Sequence, residues 1–174
     1  ILSFLHKMLS SGPAMVPCRV PGCTQIIEYR ADAKAEGDDV GIGGYRVDER
    51  GTEYAKWFAI KLTRKSAPWA YRAGEPFRTI ASLVLCGTLL CSMLLGPDTD
   101  KGGKAALRIT AQTDNRGNTF AVAKLMTVKF PLCALLMELA AYLQRKNQDL
   151  DLTWIPREQN TEADELSNMI TSRF

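Results

Sequence analysis

Between residues 25 and 62, apolar and polar positions alternate in short runs broken by glycines and acidic turns. Gln25-Ile-Ile-Glu-Tyr-Arg-Ala31 has the alternation of a strand and reads as ending at Asp32. The polar stretch Ala35-Glu-Gly-Asp-Asp39 reads as a loop into Val40-Gly-Ile-Gly-Gly-Tyr-Arg-Val47, a glycine-rich second strand. Asp48-Glu-Arg-Gly51 carries turn chemistry, and Glu53 to Leu62 alternates as a third strand. Successive strands joined by short polar turns predict an antiparallel meander.

The period then changes. Pro76 to Leu95 is apolar on most faces, with a proline in the first turn where a helix tolerates one. Gly96-Pro-Asp-Thr-Asp-Lys-Gly-Gly103 breaks that helix, and Ala105 to Thr113 predicts a fourth strand closed by Asp114-Asn115. Thr119 to Val128 predicts a short helix. Pro131 opens a longer one to about Lys146, with Leu132, Leu135, Leu136, Leu139 and Leu143 on one stripe. Leu150 to Ile155 predicts a fifth strand stopped by Pro156, and Asn160 or Thr161 is placed to cap a last helix from about Glu162. The order β-β-β-α-β-α-α-β-α predicts an α/β fold with a mixed five-stranded sheet, three antiparallel strands followed by two parallel additions, flanked by helices.

Composition narrows the class without fixing it. A chain of 174 residues, 46% hydrophobic and 24% charged, can build its own core and is neither disordered nor fibrous. The net charge of +3 permits nucleic acid without demanding it. Residues 1–24 lack periodicity and read as a leader or the tail of a preceding domain, with the folded domain in 25–174; the chain opens on isoleucine, as a piece of a longer protein would. Cys18 and Cys23 have zinc-like spacing, but no second Cys/His pair follows, so zinc is not expected. The odd count of five cysteines points to a reducing, intracellular compartment. The longest uncharged stretch, Thr79 to Gly96, falls short of the ~20 residues that span a bilayer, so no membrane partner is expected.

Three aspartates hold similar stations. Asp32 and Asp114 stand at strand ends, and Asp164 lies in the first turn of the last helix. Singly, such residues form turns or answer a helix dipole. Together in this element order they suggest hard oxygen ligands for Mg2+ or Mn2+.

Asp32-Ala-Lys followed by Gly41-Ile-Gly-Gly44 resembles the first strand and hairpin of ribonuclease H domains, and Thr113-Asp-Asn115 resembles their fourth-strand signature. Trp154-Ile-Pro-Arg-Glu-Gln-Asn160 with Glu162-Ala-Asp-Glu-Leu-Ser167 is similar to the closing segment of such domains in retroelement (retrotransposon) reverse-transcriptase polyproteins, and is the most specific part of the match. The resemblance covers roughly Gln25 onward. It implies a ribonuclease H-like sheet and a magnesium- or manganese-dependent endonuclease, a hydrolase for the RNA strand of an RNA–DNA hybrid. It also implies a neighbouring polymerase domain of the polyprotein as partner. By resemblance, Asp32 bridges two ions, Asp164 helps hold the nucleophile-side ion and Asp114 the leaving-group ion. These three are the expected catalytic and metal-holding residues.

One departure stands out. Such domains carry a glutamate in the first helix, within an Ile-x-x-Leu-Glu-Leu-type run. This chain reads Ile80-Ala-Ser-Leu-Val-Leu85, with Val84 at that place. Glu75 lies nine residues earlier, about two and a half turns away and ahead of Pro76, so it is a poor substitute. Hydrolysis is therefore expected to be impaired, and a non-catalytic nucleic-acid-binding or connection module of such a polyprotein is the alternative.

From Tyr54 to Gly74 five basic residues (Lys56, Lys61, Arg64, Lys65, Arg72) interleave with Tyr54, Trp57, Phe58, Trp69 and Tyr71, with no acid among them. Cations neutralise phosphates and exposed aromatics pack on sugars or bases; equally, strand alternation can bury the aromatics and solvate the lysines. Arg64, Lys65, Arg72 and Asn115 are the expected nucleic-acid contacts, with Gln112 and Asn118 as further polar candidates. His6, the only histidine, stands in the leader, which leaves Ser/His or Cys/His nucleophilic chemistry unsupported. Gly41-x-Gly-Gly44 lacks the third glycine and following helix of a dinucleotide fingerprint.

Overall fold

The computed structural model describes Ser10 and residues 28–71, 79–96 and 107–174. His6, Cys18, Cys23, Arg72 and Glu75 lie outside the described residues, as does the 1–24 segment apart from Ser10.

Five strands form one sheet: β1 (Glu28–Glu36), β2 (Asp39–Arg46), β3 (Trp57–Leu62), β4 (Leu107–Thr113) and β5 (Gln148–Trp154), in the order β3-β2-β1-β4-β5. β1, β2 and β3 pair antiparallel, while β4 runs parallel to β1 and β5 parallel to β4, which is the mixed sheet that the element order predicts. Within residues 28–71, 79–96 and 107–174, four α-helices accompany it: α1 (Ile80–Leu94), α2 (Arg116–Lys124), α3 (Leu132–Arg145) and α4 (Thr161–Ser167). Among the described residues no helix is long and apolar enough to cross a membrane.

The first strand does not stop at Asp32. It continues to Glu36, so Ala35 and Glu36 pair with Val40 and Asp39 instead of forming a loop. Only Gly37 and Asp38 join the strands, and Gly37 has φ 54, the left-handed conformation such tight hairpins require. Glu53 and Tyr54, read as the start of the third strand, belong instead to a 3-10 turn over Thr52–Tyr54. The short helix begins at Arg116, three residues earlier than the apolar pattern suggests, because the Asn115 side chain accepts a hydrogen bond from the Asn118 nitrogen and caps it. It stops at Lys124, where Leu125 turns left-handed with φ 49.

The two faces of the sheet are covered differently. α1 lies on the face carrying Tyr29, Ala31 and Ile42, and buries Leu83, Leu85, Leu89 and Cys91 against them. α3 packs beside α1 through Leu136, Leu139 and Leu143, and the Tyr142 hydroxyl donates to the Ser92 carbonyl at 3.0 Å. Each of these leucines adds roughly 1.5–3 kcal/mol by leaving water. Among the described residues, the opposite face takes only α4, through a small cluster of Tyr45, Ala163 and Leu166. There Gly41 and Gly43 lie directly against the backbone of Leu166 and Ser167, and a Cβ on either glycine would collide with it. The glycine-rich strand is thus a docking floor for the last helix.

Candidate active site

The site begins where two parallel strands part. β1 pairs with β4 only over Glu28–Arg30 and Thr110–Gln112. The last pair is Arg30 with Gln112, and two residues further along each strand stand Asp32 and Asp114. Equal offsets from one register bring the two carboxylates to the same level of the sheet, in the crevice at the carboxyl ends of diverging strands where α/β folds bind ligands. Asp32 therefore sits within its strand, opposite Gly43, and not at the strand end that its sequence suggested. Asp114 directly follows β4 as expected, and the Trp154 indole N–H holds its carbonyl at 3.1 Å.

Asp164 arrives from the other side. Asn160, fully buried, reaches the Ala31 carbonyl through its Nδ2 at 3.4 Å, and Arg30 Nη1 donates to the Gln159 carbonyl at 2.9 Å. These ties anchor the start of α4 to β1, while Ala163 and Leu166 seat the helix on the glycine floor. Asn160 does not cap the helix through its side chain. Asp164, in the first turn, then faces Asp32, and Asn168 Nδ2 donates to its Oδ2 at 3.4 Å.

The resulting pocket, about 330 Å³, is lined by Asp32, Asp114 and Asp164 together with Asn115, Val84 and Arg157. Asp32 is 5% exposed; burial first, then the negative charge of Asp114, push its carboxyl up to about 7 against an Ala33 N–H that donates to it at 2.8 Å. Burial also raises Asp114, and the charge of Arg157 opposes the shift. Arg157, which the sequence reading passed over, donates from Nη2 to Asp164 Oδ1 at 3.3 Å, and its charge is felt by all three aspartates.

These groups have the chemistry of a divalent-cation site. A carboxyl raised first by its burial and then by the charge of Asp114 is one whose anion added positive charge would stabilise, and hard oxygen donors suit Mg2+ or Mn2+. Among the described residues, no three acidic, histidine or cysteine side chains converge closely enough to hold one ion as they stand. Val84, buried on the pocket wall, contributes no fourth carboxylate.

The expected nucleic-acid contacts scatter. Arg64 is bound to Asp38 Oδ1 at 2.6 Å and stacks on Tyr71 at 4.9 Å, while Lys61 pairs with Asp39 at 2.8 Å. Acids of the β1–β2 turn thus neutralise cations that look unopposed in the sequence. Lys65 is exposed and forms no ion pair with another described residue. Phe58 and Tyr71 are buried and Trp69 packs on the core, so most of the interleaved aromatics serve packing. Asn118 is buried, its Nδ2 donating to the Ala81 carbonyl at 2.8 Å, which makes it structural. Asn115 reaches the pocket while capping α2. Beside it, Arg116 stacks at 5.2 Å on Trp154, which is 45% exposed; this pair at the pocket rim was not singled out from the sequence.

No protein-family model matches the chain, and no curated protein sequence does. Solved structures do. The ribonuclease H1 of the halophilic archaeon Halobacterium salinarum is similar at 16% identity and TM-score 0.56, over 83% of this chain and 96% of that one. LC11-RNase H1, solved in complex with an RNA/DNA hybrid, is similar at 22% identity and TM-score 0.51, over 82% and 94%. The protease-reverse transcriptase of prototype foamy virus is similar at 14% identity and TM-score 0.50, over 90% of this chain and 22% of that one. The chain has the ribonuclease H fold.

Proposed function

We propose that the chain binds an RNA–DNA hybrid across the Asp32–Asp114–Asp164 pocket and cleaves the RNA strand as a divalent-metal-dependent endonuclease, at a rate lowered by Val84. The observation that carries this reading is the matched offset of Asp32 and Asp114 on diverging parallel strands, with Asp164 brought against them by a helix seated on glycine. Asp32, Asp114 and Asp164 are the residues that would hold Mg2+ or Mn2+. Such ions, when bound, lower the pKa of an attacking water and stabilise the leaving oxygen.

The chain's own residues do the rest. Burial and the charge of Asp114 hold the Asp32 carboxyl up at about 7, so an arriving cation competes there with a proton. Trp154 fixes the backbone of Asp114, and Asn168 orients Asp164. Arg116 at the rim and the exposed Lys65 meet phosphates of the strands. The closing segment 154–167 and the likeness to a viral reverse transcriptase favour a polyprotein setting, in which a polymerase domain helps hold the hybrid. Val84, an apolar wall where a carboxylate is needed, favours a second reading, a hybrid-binding module without hydrolysis.

The test is cleavage of an end-labelled RNA–DNA hybrid in Mg2+ or Mn2+ by the chain, Val84→Glu and Asp114→Asn. Slow cleavage that rises in Val84→Glu and vanishes in Asp114→Asn is the expected result. Salt-sensitive hybrid binding with no cleavage by the chain or by Val84→Glu supports the second reading. Absence of both binding and cleavage by folded protein sinks the two together.

A further inference from the structure

Arg157 has no part in the scheme above, yet it stands in the middle of it. It opens the 3-10 turn Arg157–Gln159 behind Pro156, and its side chain is 77% exposed, so a flexible stem and not packing delivers its guanidinium. The contact with Asp164 Oδ1 is a single long one at 3.3 Å, without the parallel fork that makes an arginine–carboxylate pair tenacious. Asp164 keeps separate support from Asn168 on its other oxygen, so it would hold its direction if the guanidinium left. Lys34, the other cation on the pocket wall, is engaged elsewhere, by Glu36 at 3.3 Å and Asp39 at 3.2 Å. The carboxylates do not converge as they stand. The movement that frees an oxygen of Asp164 is the release of Arg157.

We infer that Arg157 is a displaceable counter-ion, which occupies Asp164 in the metal-free protein and which a divalent cation must exchange with to enter the cluster. The inference rests on the metal-binding reading of the pocket. Its consequence is that cation affinity is set by competition, and that the released guanidinium, on an exposed arm at the rim, is free to meet a phosphate of the arriving strand.

The test is calorimetric titration of Mn2+ alone into the metal-stripped full chain at pH 8, with Arg157→Ala, Arg157→Gln and Asp32→Asn alongside and folding checked by circular dichroism. An exposed ion pair of this kind corresponds to a factor of about two to five. Both Arg157 variants should therefore bind Mn2+ about two- to fivefold more tightly, and the gain should shrink as salt is raised from about 0.02 to about 0.3 M. Arg157→Gln keeps the stem and covers the case in which Arg157→Ala does not fold. Binding by an Arg157 variant where the parent binds none would support the exchange most directly. Equal or weaker binding in both variants overturns it, and leaves the metal reading standing if Asp32→Asn abolishes binding by the parent. No binding by parent or variants overturns the metal reading itself.

Discussion

Asp32 is more comfortable neutral than charged, and replacing it with asparagine turns that into a measurable pH dependence. In the metal-free folded protein its pKa lies at about 7 against 3.8 for an ordinary aspartate, because burial and the Asp114 charge oppose ionisation. Between about pH 4 and about pH 7 the folded state keeps a proton that the unfolded chain has released. A group raised in this way stabilises the fold at low pH, and the contribution is lost as pH rises through the folded pKa. At 1.36 kcal/mol per pH unit, the span amounts to about 4 kcal/mol, an upper bound because water in the open pocket solvates the carboxylate. Asp32→Asn, shaped like the protonated acid, should match the parent near pH 4 and exceed it progressively up to pH 8. Urea unfolding in the presence of a chelator, followed by circular dichroism at half-unit pH steps, reads the difference. Titrating groups remote from the pocket cancel because they are common to both proteins. Parallel profiles, or an asparagine variant less stable than the parent at pH 8, would refute the reasoning, since either means that the charged form is not disfavoured.

Other consequences can be checked alongside. Gly43→Ala drives a methyl into the Leu166–Ser167 backbone, so it should cost roughly 1–3 kcal/mol in chemical unfolding and depress hybrid cleavage as well. Arg116→Ala should weaken hybrid binding at low salt and reduce the slope of log affinity against log salt by about one, as measured by fluorescence anisotropy. Lys65→Ala should lower that slope more than Arg64→Ala does, because Asp38 already neutralises Arg64. Asn115→Ala removes a helix cap worth about 1 kcal/mol, visible as a lower urea midpoint.

The element order and the mixed sheet were legible because alternation and helical periodicity are local properties. Asp114 and Asp164 could be placed for the same reason, each at the end or start of a clearly bounded element. Register was not legible. Nothing local says that Arg30 faces Gln112, and that pairing is what sets Asp32 level with Asp114. Asp32 was misplaced by its own chemistry, since aspartate usually closes a strand; here the two-residue turn at Gly37 carries the ladder past it. Val84 was read from a motif, and its burial on the pocket wall is a tertiary fact that spacing alone could not supply. Arg157 left a faint signal, a lone cation seven residues before Asp164, but only the intervening 3-10 turn folds it back. The ion pairs of the basic segment were not legible, because Asp38 and Asp39, its partners, lie a full strand away in sequence.

The bare backbone of the second strand carries one more implication. Gly41 and Gly43 offer no side chain, yet they set how closely the helix bearing Asp164 approaches the strand that holds Asp32. Side chains added in this hairpin would displace Asp164, which is over a hundred positions away in the chain. A side chain gained at either glycine would then part Asp164 from Asp32 with all three aspartates unchanged.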